Sequence, residues 1–304
     1  MQFQFANHLH SPNRTLMPPT GLPIRAATET AIAHGIPPDR CDILQNGNTL
    51  VLRLTETLVA RVVQDVDGPR QGTEWFAREN ALALHLTRHG APVIPLHPDL
   101  PPGPHVHLGY PMNFWEFVTA TEAEPDPVEI GTSLQECHEI MKSFAVPLPH
   151  LAILTESLQI VRERRLFPEA TSSLLADHLT RSITVLSDFP QQPLHGDAHL
   201  GNLMTTTRGL LWTDWEDTFS GPVEWDLASV VWNAQILDGD HATVDQILNA
   251  YCSRGGHIDP AALHQCLIAR AAVMSAWYPI LYPNPNLERQ MKLKQRLDYL
   301  VSTH

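Results

Sequence analysis

Apolar residues recur along this chain in two rhythms. Between Cys41 and Gln64 three runs rich in Val and Leu, CDILQNG, NTLVLRL and LVARVVQ, follow one another closely, the last two joined by Thr55-Glu56-Thr57. Short branched-apolar runs with tight polar connections predict antiparallel strands. From Thr73 to Gly90 the spacing changes: Trp75, Phe76, Leu82 and Leu86 share one face of a helix that Gly90 stops. A shorter helix is expected over Arg25 to His34, ended by Gly35 and the Pro37-Pro38 pair. Pro-rich sequence from Ala91 to Pro104 leads into a further apolar strand within HLGYPMNFWEFV. Strands, one helix and more strands make a small α+β lobe.

Beyond Ala120 the acidic, Pro-bearing stretch TEAEPDP reads as a hinge. The chain then turns mostly helical: VEIGTSLQECHEIMKSF, a block from about 150 to 187, and several helices from about 224 onward. The expected organisation is a loose polar arm over 1–20, punctuated by Pro12, Pro18 and Pro19, an N-terminal lobe over 21–118 and a C-terminal lobe over 119–304. There is no internal repeat and no low-complexity tract.

With 304 residues, 43% hydrophobic and 17% charged, the chain can bury a core in each of two lobes. The formal charge of −13 argues against nucleic acid or an anionic membrane surface as a partner, and favours a cationic one. An acidic surface is also a common solubility device. Cys41, Cys137, Cys252 and Cys266 lie far apart with no C-x-x-C pair, as expected of reduced thiols in a cytosol. No leader-like start and no long apolar run is visible, so a soluble cytoplasmic protein is expected.

The polar residues concentrate in PLHGDAHLGNLMTTTRGLLWTDWEDTFSGPVEWDLASVVW. His195, Asp197, His199 and Asn202 fall close together, and Asp214 follows after two apolar runs separated by the turn TTTRG. A loop followed by a hairpin would carry the second carboxylate back toward the first. Two carboxylates and an amide oxygen form a hard donor set suited to Mg²⁺ brought in on a nucleotide's phosphates. Taken by itself, His195-Gly196-Asp197-Ala198-His199 could equally be the ligand cluster of a metal-dependent hydrolase.

H-G-D-x-x-x-x-N followed by a hydrophobic-D-W-E segment resembles the catalytic loop and metal-binding segment of the aminoglycoside-phosphotransferase and choline-kinase family. The resemblance implies a two-lobed, protein-kinase-like α+β fold, with a small antiparallel-sheet N-lobe and a mostly helical C-lobe. It implies transfer of the γ-phosphate of ATP or GTP to the hydroxyl of a small acceptor. Asp197 would be the catalytic carboxylate, Asn202 and Asp214 the Mg²⁺ ligands, and His195 and His199 structural support for the loop. GPVEWDLA matches a further element of the family, in which Asp226 would brace the catalytic loop with Trp225 packed beside it. His138, in LQECH, falls at a structural histidine position of the family.

The same resemblance places a nucleotide clamp in the N-lobe. Arg61 stands at the strand position that carries Lys in most kinases, and Glu79 in Arg78-Glu79-Asn80-Ala81-Leu82 at that of its acidic partner. Arg for Lys is a departure, since a forked guanidinium is not a compact ammonium. Gly47, in a loop with a single glycine, is the candidate for a backbone approach to phosphate, against the alternative of an ordinary β-turn. Backbone groups around Glu116 to Val118 are expected to hold the base, while Phe114, Trp115 and Phe117 read mainly as core.

Glu216, Asp217, Glu224, Asp238 and Asp240 supply negative charge near the expected acceptor pocket, which suits a cationic or polyhydroxylated acceptor such as an aminoglycoside, aminosugar or amino alcohol. Two alternatives stand beside the kinase: the hydrolase using His195, Asp197 and His199, and a nucleotide-binding pseudokinase module. Gly221 follows Asp214 by only seven positions, too few for an activation loop, so a protein substrate is not expected.

Overall fold

A computed structural model describes residues 21–47, 49–66, 72–237 and 239–303. The expected arm over 1–20, Asn48 and Asp238 lie outside the described residues. The chain divides into two compact units, one running to Glu124 and including Leu203–Glu216, the other made of Pro125–Asn202 and Asp217–His304.

In the first unit, helix α1 (Gly21–Ala33) precedes strands β1 (Asp42–Asn46), β2 (Thr49–Arg53) and β3 (Leu58–Val63). Helix α2 (Glu74–Arg88) then leads to β4 (His105–His107) and β5 (Tyr110–Glu116). The strands form one antiparallel sheet in the order β1-β2-β3-β5-β4. At the β2–β3 turn, Thr55 Oγ1 accepts from the amides of Thr57 and Leu58 at 3.2 and 3.0 Å. That turn pairs Leu52 with Ala60 and Val51 with Arg61.

Both faces of β3 are covered, which explains its near-continuous apolar sequence. Leu58, Ala60 and Val62 pack with Leu50, Leu52 and Phe114 against Ala26, Ala27 and Ala31 of α1. On the other face Val59 and Trp115 pack with Ala83 of α2, and Val63 packs with Trp75 and Phe76. Phe114 and Trp115 are buried and Phe117 packs against the second cluster, so all three aromatics serve the core.

In the second unit, α3 (Pro127–Met141), α4 (Ala152–Arg164) and α5 (Glu169–Leu186) are followed by the short strand β6 (Gln192–Pro193). The chain then returns to the first unit as the hairpin β7 (Leu203–Thr206) and β8 (Gly209–Trp212). After β9 (Ser220–Gly221), which pairs with β6, come α6 (Glu224–Leu237), α7 (His241–Ser253), α8 (Pro260–Leu281) and α9 (Leu287–Ser302).

The hairpin departs from the expected division, in which everything past residue 118 forms the C-terminal lobe. Its outer backbone groups are bonded within the first unit: Trp212 exchanges with Pro92 and Ile94 at 2.8 and 3.0 Å, and Thr205 accepts from Thr121 at 2.8 Å. Leu211 joins the core that holds Val59 and Trp115.

Several helices of the second unit begin where the sequence offers a side-chain cap. Asp126, Asp240, Asp259 and Asn286 accept from amides of the first turns of α3, α7, α8 and α9, and Pro127 and Pro260 occupy first helical positions. Helix α8 packs against α4, α5, α6 and α9 and is apolar nearly all round, as a helix at the centre of a bundle must be. No helix among the described residues is long and apolar enough to cross a membrane.

Candidate active site

Each unit contains one concentrated polar centre. In the first, Arg61 shares the α2-facing side of β3 with Val59 and Val63, and its guanidinium meets three carboxylates. Nη1 donates to Glu79 Oε1 at 2.9 Å, while Nη2 lies 2.8 Å from Asp214 Oδ1 and also donates to Glu216 Oε2. Glu79 is fully buried and accepts at its other oxygen from Asn113 Nδ2 at 3.0 Å, and Asn113 Oδ1 in turn accepts from Asn80 at 2.9 Å. Burial pushes the Glu79 carboxyl up to about 7 against the pull of Arg61, with Asp214 adding to the rise. Burial would lower Arg61, but Asp214, Glu216 and Glu79 together raise it instead.

Asp214 comes two residues after β8, in the left-handed region at φ 67°, which turns its carboxylate out of the strand register. Three carboxylates around one guanidinium leave a local surplus of negative charge. The three carboxylates are gathered on the guanidinium and are not placed as a three-ligand metal group, while their charge would favour a hard cation brought in on phosphate oxygens.

In the second unit the loop from His195 to Asn202 is built around Asp197. Arg270 Nη2, from the middle of α8, donates to Asp197 Oδ1 at 2.5 Å. His199 Nε2 lies 3.4 Å from Asp197 Oδ2, and Asn202 Nδ2 donates to the Asp197 carbonyl at 2.9 Å. Burial works to raise Asp197, but His199 and Arg270 outweigh it and hold the carboxyl well below the usual carboxylate range. Nδ2 of Asn202 is spent on Asp197, and the amide oxygen is the atom of that side chain able to act as a metal donor.

The backbone of this loop hangs on Asp226. Its Oδ2 accepts from the His195 amide at 2.8 Å, its Oδ1 from the Gly196 amide at 2.9 Å, and His138 Nε2 lies 3.0 Å from Oδ2. His138 Nδ1 is 2.8 Å from the Tyr251 hydroxyl, so a buried chain ties α3 and α7 to the loop. Trp225 Nε1 donates to the Gly196 carbonyl at 2.7 Å. Gly196 has φ +87°, and a Cβ there would come 2.0 Å from the Asp217 carbonyl oxygen, so no other residue fits.

The ring nitrogens of the His-Asp-His triplet are engaged in the loop itself. His195 Nδ1 accepts from the Asp197 amide at 3.3 Å, and His199 Nδ1 accepts from the Gly201 amide at 2.9 Å. Among the described residues no group of three or more His, Cys, Asp and Glu is placed to hold a metal ion, which removes the geometric basis for the hydrolase alternative.

Other expected positions are placed differently. The Gly47 amide donates to the Thr49 carbonyl at 3.1 Å, and Gln64 Nε2 donates to the Gly47 carbonyl and to Asn46 Oδ1. Gly47 therefore closes a tied turn, and its own amide is spent there. The Glu116 amide donates to Pro95 and the Phe117 amide to Thr57, while the Glu116 carboxylate pairs with Arg208 at 2.8 Å. The amides of Glu116 and Phe117, two of the groups expected to meet the base, are thus engaged within the first unit.

Glu216 holds Arg61, Glu224 is buried and accepts from the Asp259 amide at 2.8 Å, and Asp240 caps α7. Those three carboxylates have partners within the fold. Sequence reasoning missed Arg270, and the only signal was a lone arginine inside the apolar run of α8.

The sequence model of the phosphotransferase enzyme family, APH, matches residues 28–265. The chain belongs to this family and is a phosphotransferase acting on hydroxyl acceptors. No curated protein matches the sequence.

Among solved structures, the amicoumacin kinase hAmiN in complex with AMP-PNP, Ca²⁺ and Ami is similar at 11% identity and TM-score 0.70, covering 93% of this chain and 96% of that one. The choline kinase LicA of Streptococcus pneumoniae is similar at 13% identity and TM-score 0.65, covering 92% and 99%. Spectinomycin phosphotransferase APH(9)-Ia, in complex with ADP and spectinomycin, is similar at 13% identity and TM-score 0.59, covering 92% and 98%. The shared fold is the two-lobed, protein-kinase-like one.

Proposed function

We propose that this phosphotransferase moves the γ-phosphate of ATP or GTP onto a hydroxyl of a small polyhydroxylated acceptor, with Asp197 as the catalytic carboxylate. The observation that carries the reading is the setting of Asp197: a carboxylate held ionised by Arg270 and His199, in a loop whose backbone is fixed by Asp226. A carboxylate of such low basicity is a weak general base. It is well suited to accept a hydrogen bond from the acceptor hydroxyl and aim its lone pair, which is what a loose phosphoryl-transfer transition state requires.

The hydroxyl oxygen bonds to the γ-phosphorus, and the bridging oxygen leaves with its electron pair as the nucleoside diphosphate. The hydroxyl proton passes by way of Asp197 to water. Arg61, backed by Glu79, supplies a fixed cation for the nucleotide phosphates. Asn202 and Asp214 are assigned as the residues that would hold Mg²⁺, on the strength of the family motif, of the fixing of Asn202 by its Nδ2 and of the carboxylate surplus around Arg61. When bound, the metal supplies charge neutralisation on the phosphate oxygens. His195 and His199 shape the loop and Asp226 suspends it.

Similar structures include complexes with adenine nucleotides and one with GDP, which supports nucleotide use and leaves both bases open. All four cysteines are free thiols, and burial pushes Cys137 and Cys266 up, as suits a working life in a reducing cytosol. The test is thermal stabilisation by ATP or GTP with Mg²⁺ against each alone, on wild type and Asp214→Ala. Metal-dependent stabilisation that the variant loses is expected; no response to either nucleotide would overturn the reading.

A further inference from the structure

The second unit buries two guanidinium groups and offers them one carboxylate. Arg270, 3% exposed, spends Nη2 on Asp197, while its Nε is buried without a partner. Arg296, on α9 and 5% exposed, has Nε and Nη1 both buried without a hydrogen-bond partner, and it pairs with no carboxylate of the described residues. Its guanidinium lies 4.7 Å from the centre of the Trp232 ring and 5.4 Å from that of Tyr278, whose hydroxyl is likewise buried without a partner.

Stacking on aromatic faces offsets about 2 kcal/mol of the desolvation of a cation, and it satisfies no N–H. An unpaired buried charge costs several kcal/mol, so an arrangement of this kind persists where a partner completes it. Burial, with the Arg270 charge as a lesser contributor, lowers Arg296 to about 10, which leaves it protonated at neutral pH. The unit's other buried carboxylates among the described residues are engaged elsewhere, Glu224 by the Asp259 amide and Asp226 by the His195 and Gly196 amides and His138, so that only Arg270 of the two arginines has a carboxylate at ion-pair distance. Arg270 ties this feature to the catalytic loop through Asp197.

We propose that the acceptor carries an oxyanion, a carboxylate or a phosphate, bound by Arg296, the free edge of Arg270 and the Tyr278 hydroxyl, so that the enzyme phosphorylates an acidic hydroxy compound. The proposal rests on the kinase reading and replaces the expected cationic acceptor with an anionic one. The forked guanidinium fits an oxyanion with two parallel N–H bonds, and Arg270 would tie the acceptor's anchor to the carboxylate that aims its hydroxyl.

The test uses matched probes at millimolar concentration: the carboxylates glycerate and gluconate, glycerol 3-phosphate, neutral glycerol and glucose, and cationic glucosamine and ethanolamine. Thermal stabilisation and ADP release with Mg²⁺-ATP are read for wild type, Arg296→Met and Arg296→Lys. Stabilisation of wild type by at least one acidic probe and not by its neutral counterpart is expected. In Arg296→Met its dissociation constant or KM should rise by about tenfold or more, the loss of a charged hydrogen bond. Arg296→Lys should fall between, and carries the test if the methionine variant does not fold. A response to the carboxylates alone or to the phosphate alone assigns the oxyanion.

Equal response to neutral or cationic probes, no response to any acidic probe, or an unchanged response in Arg296→Met and Arg296→Lys overturns the proposal. Stabilisation of wild type by Mg²⁺-ATP is scored separately. Its loss would sink the kinase reading, while stabilisation by an acidic probe that the Arg296 variants lose would still locate an anion site.

Discussion

Around Arg61 one guanidinium faces the carboxylates of Glu79, Asp214 and Glu216; around Asp197 one carboxylate faces the donors of Arg270 and His199, with Arg296 buried in the same unit. Both centres are ion clusters built on covered elements, and they carry opposite surpluses. The first sets three carboxylates around one guanidinium, which is the basis for assigning a metal cation there; the second leaves Arg296 without a carboxylate among the described residues, which is the basis for the proposed anion. The comparison teaches that the charge of a ligand is read from the local imbalance of buried groups, not from the net charge of the chain. Exposed carboxylates are screened within about 8–10 Å at physiological salt, whereas desolvated ones are not.

The comparison is broken most severely at Asp197. Asp197→Asn keeps the shape of the loop and removes the carboxylate, and acceptor-dependent ADP release should fall by about 10²- to 10⁴-fold. A variant within threefold of wild type would rule out Asp197 as the catalytic group. Next, Arg61→Lys replaces a fork that spans three carboxylates with a point charge that cannot, and the nucleotide KM should rise by about tenfold. An unchanged KM would mean that a charge there suffices without the fork.

Arg270→Met removes the buried cation paired with Asp197. It should cost about 2–4 kcal/mol of unfolding free energy at neutral pH, toward the low end because Asp197 is partly exposed. The sign with pH is definite. The folded carboxyl is depressed, so its stabilisation is present above the ordinary value near 3.8 and fades as pH falls through the folded value. The gap between wild type and variant, followed by denaturant unfolding, should therefore close below pH 4.

Glu79 titrates in the opposite sense. Its folded value is raised from 4.5 to about 7, so its contribution is complete below 4.5 and is lost as pH rises through 7. Wild type measured against Glu79→Gln should lose about 1–3 kcal/mol of relative stability between pH 5 and pH 8, and a flat difference would show that Glu79 stays ionised throughout. The smallest effect belongs to the exposed pair Arg208–Glu116, where Arg208→Ala should change stability by about 0.5 kcal/mol or less, vanishing in high salt.

Much of this was legible beforehand. The strand runs, the α2 spacing and the turn TTTRG lie where the elements lie, because each follows from local periodicity and turn chemistry. His195, Asp197, Asn202, Asp214 and Asp226 sit within 32 consecutive residues, so their spacing shows in one dimension. The partners of Asp197 and Arg61 were less legible. Arg270 is 73 residues from Asp197, and Glu216 is 155 from Arg61, with nothing local to announce either contact. The fates of Gly47, Glu116 and Glu224 were also hidden, since a hydrogen-bond donor or acceptor in a sequence does not declare whether a distant backbone group has claimed it.

By itself the sequence determined the elements, the family and the loop that carries Asp197, because these depend on side-chain pattern over short separations. Only the tertiary structure decided which charges are buried together, that Arg61 is outnumbered by carboxylates, and that Arg270 pairs with Asp197 while Arg296 is buried without a carboxylate among the described residues. The reason is physical: the strength of an ion pair depends on distance and desolvation, and both are set by how α2, α8, α9 and the β7–β8 hairpin pack within their units.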